Sequence, residues 1–286
     1  MAAPVSRILF RTARRMVGFF WILVRAAADF VINLWLRGKA SSFKARSEWL
    51  QRWSAQILRC VNVQVSRLGE LPKEGVLACN HLSYLDVMVL AAGQPMVFVA
   101  KSEVRGWPLI GWLTRFAGTL YVQRERKSDV ARLAASFTPV VNEGVVIGLF
   151  PEGTSTGGHQ VLPFYSSLFE PAARSGWRAK PAWIGYTLAD GSVEDEICYW
   201  RDMKFALHLP RLLSKERIVA TVAYGPALAA GLNRKEMARL LHAQVCQLGD
   251  RVRKAEGLGP LGNHFIAGVE LTEGRATGFG SHSWMK

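Results

Sequence analysis

The sequence has few cysteines and no recognisable metal-binding pattern. Its four cysteines lie far apart, in mainly apolar surroundings, and form no Cys-x-x-Cys pair: Cys60, Cys79, Cys198 and Cys246. Zinc sites and disulfide frameworks need closely spaced ligands or paired thiols, so neither is predicted. We expect reduced thiols, which are typical of a protein on the cytoplasmic side of a membrane.

Glycine loops that bind nucleotides are also missing. None of the 26 glycines lies in a dinucleotide-binding or P-loop pattern after a predicted strand. The chain also has no internal repeat and no low-complexity block. A nucleotide cofactor and a repeat architecture are therefore not expected.

Acidic residues are scarce relative to basic ones. Asp and Glu number 22 against 36 Lys and Arg, which gives a formal net charge of +14 over 286 residues. Such an excess implies an anionic partner: a membrane surface, a nucleic acid, or a phosphorylated or CoA-like substrate. Half of the residues are apolar, which is enough for one large domain or two modest ones.

An uninterrupted membrane-spanning run is missing near the N-terminus, although residues 16–36 are largely apolar and long enough to cross a bilayer. The aliphatic and phenylalanine side chains favour insertion by roughly 3–7 kcal/mol, whereas Arg25 and Asp29 oppose it by roughly 5–7 kcal/mol. This balance predicts a helix that lies in or dips into the membrane interface, flanked by arginines. A secretory signal peptide is the alternative, because three alanines follow the first apolar stretch; Arg25 at that boundary speaks against it.

Short apolar runs and helical patterns alternate after this segment. A helix is predicted over 42–60, where apolar residues recur at helical spacing. The predicted strands are 75–79, 96–100, 119–123, 145–150, 181–186 and 217–224, and the predicted helices lie near 83–92, 108–116, 128–142, 163–174, 201–214 and 233–255. The alternation predicts an α/β fold: a mixed, mostly parallel sheet covered by helices, preceded by an N-terminal membrane-associating helical segment. The predicted boundaries are 1–60 for that segment, 61–255 for the α/β domain and 256–286 for a glycine-rich, loosely ordered tail.

Polar residues follow the predicted strands, at the sheet edge where ligands bind in open α/β folds. In the first such segment, His81 and Asp86 are five residues apart. Residues five apart on a straight helix point about 140° away from each other, so a turn has to intervene before the two can meet. Ser83 and Asp86 have the spacing of a capping box, which predicts a helix that begins at Ser83 and leaves His81 free to fold back towards Asp86. An ordinary helix start with an incidental histidine is the alternative.

Two cations and a Glu-Gly turn follow the other strands. Lys101 comes after the second strand, Arg124 after the third and Pro151–Thr156 after the fourth. Together with a histidine backed by a carboxylate, they are typical of a site where a base activates a hydroxyl beside an anionic substrate.

These motifs resemble those of the glycerolipid acyltransferases typified by 1-acyl-sn-glycerol-3-phosphate acyltransferase. The Asn-His-x4-Asp motif of the family is matched by Asn80, His81 and Asp86, and its Phe-Pro-Glu-Gly-Thr motif by Phe150–Thr154. Two further motifs are similar to Gly118–Arg124 and Pro181–Ile184. The resemblance covers residues 60–225, with the motifs in the family's order and spacing.

The resemblance implies transfer of a fatty acyl group from acyl-CoA or acyl-carrier protein to the free hydroxyl of a lysolipid, with 1-acyl-sn-glycerol-3-phosphate as the expected acceptor in phospholipid biosynthesis. It implies that His81 is the general base and that Asp86 orients it. Acceptor binding would fall to Asn80, Lys101, Arg124, Glu152, Gly153, Thr154 and Ser155. No resident cofactor and no metal are expected, because the thioester is already activated. The expected location is the cytoplasmic face of the inner membrane, with an anionic membrane surface and no nucleic acid as partner.

Two positions depart from the family pattern. Ser155 and Tyr165 stand where many relatives have a cation. Each difference removes a charge-assisted contact to a phosphomonoester, so a lyso-ornithine lipid or a lysophosphodiester stays open as the acceptor. A non-catalytic membrane-binding or nucleic-acid-binding protein is a further alternative, because Trp and Arg interleave over 46–53. Their helical spacing favours packing over stacking on bases.

Overall fold

The computed structural model describes residues 4–107, 109–122 and 129–262, and of residues 129–134 it describes the backbone alone. Two long helices come first: α1 (Val5–Asp29), which continues as a π-helical segment over Phe30–Trp35, and α2 (Phe43–Val61). The strands that follow are β1 (Val63–Leu68), β2 (Val76–Cys79), β3 (Met96–Lys101), β4 (Leu120–Val122), β5 (Val146–Leu149), β6 (Ala179–Leu188) and β7 (Ile218–Tyr224). The remaining helices are α3 (Leu85–Ala91), α4 (Ile110–Phe116), α5 (Asp129–Asn142), α6 (Glu170–Ser175), α7 (Val193–Glu196), α8 (Phe205–Ser214) and α9 (Arg234–Ala255), with 3₁₀ turns at Ser102–Gly106 and Ser166–Phe169.

The described strands form one sheet in the order β1-β7-β6-β2-β5-β3-β4. All neighbours in it run parallel except β6 and β7, which pair antiparallel. The predicted fold class, a mixed and mostly parallel sheet with helices and an N-terminal apolar helix, is therefore confirmed. β2 lies near the centre of the sheet, so the loop after it opens at the edge where the carboxyl ends of the parallel strands meet.

Alternation along β2 shows how the sheet buries both of its faces. Leu77 and Cys79 pack into one core cluster, with residues of α1, α3 and α8. Val76 and Ala78 point to the other face and pack with residues of α5 and α9. All four side chains are almost completely buried, as expected for a central strand that is covered by helices on both sides.

Helix α1 packs on the domain through one face and leaves the opposite face open. Phe19 and Leu23 are buried in the main core cluster, whereas Trp21 and Val24 are mostly exposed. The helical unit Val5–Trp35 is long and apolar enough to cross a membrane by length and composition, with 28% of its most apolar window buried inside the protein. The helix thus has one buried apolar face and one exposed apolar face, and its position in the membrane interface stays a prediction.

Arg15 ties α1 to the C-terminus of α8. Its guanidinium donates to the carbonyl oxygens of Leu213 and Glu216, each at 3.1 Å, and to that of Lys215. Carbonyl groups at a helix C-terminus lack intrahelical partners and carry partial negative charge, so a buried arginine satisfies them. The N-terminal segment is therefore joined to the α/β domain by polar contacts as well as by apolar ones.

Several boundaries differ from the sequence predictions. The helix predicted near 163–174 is a 3₁₀ turn followed by the short helix α6. Strand β1 was not predicted: it lies at the edge of the sheet and is largely exposed, so its sequence has no continuous apolar run. In the segment predicted to be a loose tail, Leu261 is buried and its N–H donates to Asp250 at 2.8 Å; residues 263–286 lie outside the described residues.

Candidate active site

The loop between β2 and α3 brings His81 and Asp86 into contact. His81 Nδ1 lies 2.8 Å from Asp86 Oδ2. The predicted cap is wrong in detail: α3 begins at Leu85, and the Ser83 hydroxyl is buried without a hydrogen-bond partner among the described residues. The carboxylate of Asp86 itself accepts the N–H groups of Leu82 at 2.7 Å and Ser83 at 2.9 Å. The turn that folds His81 back is therefore stabilised by Asp86 and not by Ser83.

The contact with Asp86 fixes the orientation of the His81 imidazole and uses one of its two nitrogens, Nδ1. Because the Asp86 carboxylate needs a donor, Nδ1 carries the proton and Nε2 has the free lone pair. The ring stacks on Phe150, with centroids 4.1 Å apart, and the side chain is 22% exposed. No hydrogen bond links Nε2 to any of the described residues. This nitrogen is placed to accept a proton from a bound hydroxyl.

Asp86 is completely buried, and four groups donate to it. Three of them reach Oδ2, and the fourth is the hydroxyl of Tyr186 on β6, at 2.6 Å from Oδ1. Tyr186 was not singled out in the sequence, because a tyrosine in an apolar strand is typical of ordinary core. Its role becomes visible only when β6 is placed beside β2.

The side-chain amide of Asn80 is hydrogen-bonded to the backbone of the neighbouring strand β6. Its Oδ1 accepts the N–H of Ile184 at 2.7 Å, and its Nδ2 donates to the carbonyl oxygen of Ile184 at 2.9 Å. The side chain is 2% exposed. Both polar atoms are thus hydrogen-bonded to the backbone of β6, which fixes the loop after β2; the acceptor contact predicted for Asn80 stays a prediction.

Glu152 is buried between two loops. Its Oε1 accepts the N–H of His81 and its Oε2 accepts the N–H of Leu162, both at 2.7 Å. Burial raises the pKa of Glu152 to about 8, against the opposing effect of the two N–H donors. The following Gly153 adopts a φ of +75°, which glycine tolerates and which turns the chain sharply after Glu152. Glu152 therefore supports the backbone of His81; its predicted contact with the acceptor stays a prediction.

None of the other predicted site residues that the structure describes makes a side-chain contact with His81 or Asp86. The Ser155 hydroxyl donates to the carbonyl oxygen of Tyr199, while the exposed Thr154 makes no side-chain hydrogen bond with the described residues. Lys101 is exposed at the end of β3, which is separated from β2 by β5. Arg124 lies outside the described residues. The structure thus brings His81 and Asp86 together with their supporting residues, and it places Lys101 two strands away from β2.

The cysteines give no sign of a nucleophile or a metal site. All four are free thiols, and burial raises the pKa of Cys79 and Cys198, which lie nearest to Asp86. Among the described residues no group of three or more His, Cys, Asp or Glu side chains could hold a metal ion.

The chain is similar in sequence to known acyltransferases. The family model named Acyltransferase matches residues 60–185. The lyso-ornithine lipid O-acyltransferase of Rhodobacter capsulatus is 37% identical over 187 residues, covering 63% of this chain and 67% of that protein. The enzyme of the same name from Pseudomonas aeruginosa is 32% identical over 235 residues, covering 82% and 90%. The 1-acyl-sn-glycerol-3-phosphate acyltransferase of Neisseria meningitidis is 27% identical over 165 residues, covering 57% and 64%.

A solved structure shares the fold. The crystal structure of PlsC, the 1-acyl-sn-glycerophosphate acyltransferase of Thermotoga maritima, superposes with a TM-score of 0.63 at 16% sequence identity, covering 87% of this chain and 96% of that one. At this identity the likeness concerns the fold alone.

Proposed function

The chain belongs to the acyltransferase family, and from this premise we propose that it transfers a fatty acyl group from an acyl thioester to the hydroxyl of a lyso-ornithine lipid at the membrane surface. Lysolipid acyl transfer as such follows from the family and its named relatives. The ornithine head group, the donor and the roles of individual residues are the parts that we propose.

The His81–Asp86 pair, with 2.8 Å between Nδ1 and Oδ2, carries the mechanism. His81 Nε2 takes the proton of the acceptor hydroxyl as its oxygen attacks the thioester carbonyl. The C–O bond of the new ester forms, the C–S bond breaks, and His81 returns the proton to the leaving thiolate. The buried carboxylate of Asp86 stabilises the imidazolium that exists between these two transfers. No covalent enzyme intermediate is needed, since the thioester is already activated.

The donor follows from the same chemistry. Acyl-CoA and acyl-carrier protein both present a thioester on a phosphopantetheine arm and both are anionic. The net charge of +14 favours either of them, and the exposed Lys101 at the sheet edge offers one cation. No resident cofactor is required for this reaction.

The chemistry around Ser155 favours an acceptor with little net negative charge. Ornithine carries both a carboxylate and an ammonium group, whereas a phosphomonoester is a dianion that is best held by several cations. Ser155 supplies no positive charge, and its hydroxyl is occupied by the carbonyl oxygen of Tyr199. The relatives named lyso-ornithine lipid O-acyltransferase point to the same head group.

A second candidate acceptor is 1-acyl-sn-glycerol-3-phosphate. The Neisseria relative, which bears that name, favours it. In this case Lys101 and Arg124 would have to balance the phosphate charge without help from residue 155.

The membrane surface is the proposed location, and α1 is the proposed contact. Val17, Trp21 and Val24 lie on the exposed side of the helix, opposite its buried residues. Arg14 and Arg25 are exposed beside them and suit anionic head groups. The free cysteines fit the cytoplasmic face, which is a reducing environment.

A lysolipid panel tests this proposal. Purified full-length protein is mixed with one long-chain acyl-CoA and, in turn, with lyso-ornithine lipid, lysophosphatidic acid and a lysophosphodiester, and thiol release is followed. We expect release that depends on the acceptor and is fastest with lyso-ornithine lipid. A preference for lysophosphatidic acid would favour the second candidate, and salt-sensitive nucleic-acid binding without any turnover would overturn the enzymatic proposal.

A further inference from the structure

Tyr186 makes a hydrogen bond that the proposed reaction has not yet used. Its hydroxyl donates to Asp86 Oδ1 at 2.6 Å, and among the described residues it is the donor to that oxygen. Tyr186 lies one residue beyond the segment that the family model matches. The contact is buried on both sides, with Tyr186 6% exposed and Asp86 completely buried.

Strand β6, which carries Tyr186, is hydrogen-bonded at two points to the segment from Asn80 to Asp86. The side-chain amide of Asn80, the residue before His81, makes hydrogen bonds with both the N–H and the carbonyl group of Ile184. Tyr186 lies two residues further along β6, on the same face, and reaches Asp86 at the other end of the loop. On its other side β6 pairs with β7, where Tyr186 is opposite Ala220. The hydroxyl therefore has a fixed position relative to both members of the His81–Asp86 pair.

We propose that Tyr186 is a positioning residue that sets how strongly Asp86 holds the His81 imidazolium, and thereby the pH range in which His81 works as a base. The inference rests on the proposed function, because it assigns His81 the role of base. A donor to a carboxylate stabilises the anion and weakens its pull on any other partner. Tyr186 would thus keep His81 in its neutral, proton-accepting form down to lower pH.

Other titratable groups surround the pair, and none of them replaces this donor. Glu152 follows β5 and contacts the backbone of His81; Cys79 on β2 and Cys198 after α7 are buried thiols near Asp86. Burial and the charge of Asp86 raise the pKa of Tyr186, so that its hydroxyl keeps its proton and acts as a donor across the working pH range. The hydroxyl of Tyr186 is thus the group in a position to modulate Oδ1.

The first test is Tyr186→Phe in the full-length protein, with kcat and KM measured against pH. Without the hydroxyl, Asp86 should pull harder on His81, and the acidic limb of the kcat/KM profile should move to higher pH by about half a unit to one unit. KM should stay within about twofold, because the Tyr186 hydroxyl is bonded to Asp86 and its side chain is almost completely buried. The matched control is Tyr224→Phe on the neighbouring strand β7, which loses the bond of a buried hydroxyl to Arg67 and leaves Asp86 untouched. An acidic limb at the wild-type position in Tyr186→Phe would overturn the proposal.

A second substitution covers the case in which Tyr186→Phe folds poorly. Incorporation of 3-fluorotyrosine at position 186 keeps the shape of the ring but makes the phenol a stronger donor. The acidic limb should then move to lower pH, opposite to the effect of Tyr186→Phe. A limb that does not move, or that moves the other way, contradicts the proposal.

A measurement without turnover separates this inference from the proposed function. The protonation of His81 can be followed by NMR in ¹⁵N-histidine-labelled protein, with its signal assigned by loss in His81→Gln. The titration midpoint should rise in Tyr186→Phe and fall with 3-fluorotyrosine, whether or not any lysolipid is acylated. Missing turnover in wild type would refute the proposed function alone, whereas an unchanged midpoint would refute the role of Tyr186.

Discussion

Replacing Glu152 by alanine should loosen the two loops that this carboxyl group joins. The backbone N–H groups of His81 and Leu162 both donate to it at 2.7 Å, in a position that is 3% exposed. Each buried N–H left without an acceptor costs about 1–3 kcal/mol, so Glu152→Ala should lower the free energy of unfolding by about 2–6 kcal/mol. Activity should fall about 100-fold if the backbone of His81 shifts by about 1 Å.

Glu152→Gln is the matched control, because it has the same shape and keeps one carbonyl acceptor. Burial raises the pKa of Glu152 to about 8, so the protonated acid predominates at pH 7, and glutamine resembles that form. One of the two N–H groups then still has an acceptor, so the cost of Glu152→Gln at pH 7 should be about 1–3 kcal/mol, about half that of Glu152→Ala. Urea unfolding of the two variants and wild type at pH 7, together with thiol release dependent on a lysolipid, measures both effects.

The contribution of Glu152 to the free energy of unfolding should decrease as the pH rises. The pKa of Glu152 is higher in the folded protein than in the unfolded chain, so the folded state binds the proton more tightly. The resulting stabilisation is complete below about pH 4.5 and is lost as the pH rises through about 8. Wild type should therefore lose stability relative to Glu152→Gln between pH 5 and pH 9. If Glu152→Gln is as damaging as Glu152→Ala at pH 7, and the difference from wild type does not change with pH, then the carboxyl group is ionised throughout and this reasoning is wrong.

Three further predictions concern the hydrogen bonds of Arg15 to the C-terminus of α8, the membrane contact and the acceptor. Arg15→Met should lower the free energy of unfolding by about 2–4 kcal/mol, because three carbonyl oxygens at and just beyond the C-terminus of α8 lose their donor; denaturant unfolding against Arg14→Met, an exposed neighbour, measures it. The double substitution Trp21→Ser and Val24→Ser should weaken flotation with anionic vesicles by about tenfold or more at unchanged stability, and undiminished binding would exclude this face of α1 as the contact. Ser155→Arg should raise the ratio of kcat/KM for lysophosphatidic acid to that for lyso-ornithine lipid by about tenfold, and an unchanged ratio would mean that residue 155 does not read the head group.

Much of the fold could be predicted because buried strands and helices have recognisable patterns of apolar residues in the sequence. Strand β2 is a short, wholly buried run, and its pattern predicted it to within one residue. Helix α9 begins at a true capping box of Asn233 and Glu236, which fixes its start. Strand β1 escaped prediction because an edge strand has little to bury, and its alternating polar residues resemble a loop.

The candidate site was predictable in its composition but not in its contacts. The motif gave His81 and Asp86, since the side chains that carry the chemistry belong to few residue types. It did not show that Asn80 and Glu152 are used by backbone groups, because such partners depend on strands and loops distant in the sequence. Tyr186 left no signal at all, since its partner lies 100 residues away.

The most direct test of the account is the turnover of His81→Ala. Purified variant and wild type are compared for thiol release from a long-chain acyl-CoA, with and without lysolipid, after circular dichroism has shown that both are folded. The control is His159→Ala, which removes an exposed histidine that pairs with Glu194. His81→Ala should lose about 10²- to 10⁴-fold in kcat, while His159→Ala should retain wild-type turnover. A folded His81→Ala protein that turns over at the wild-type rate would contradict the assignment of His81 as the base.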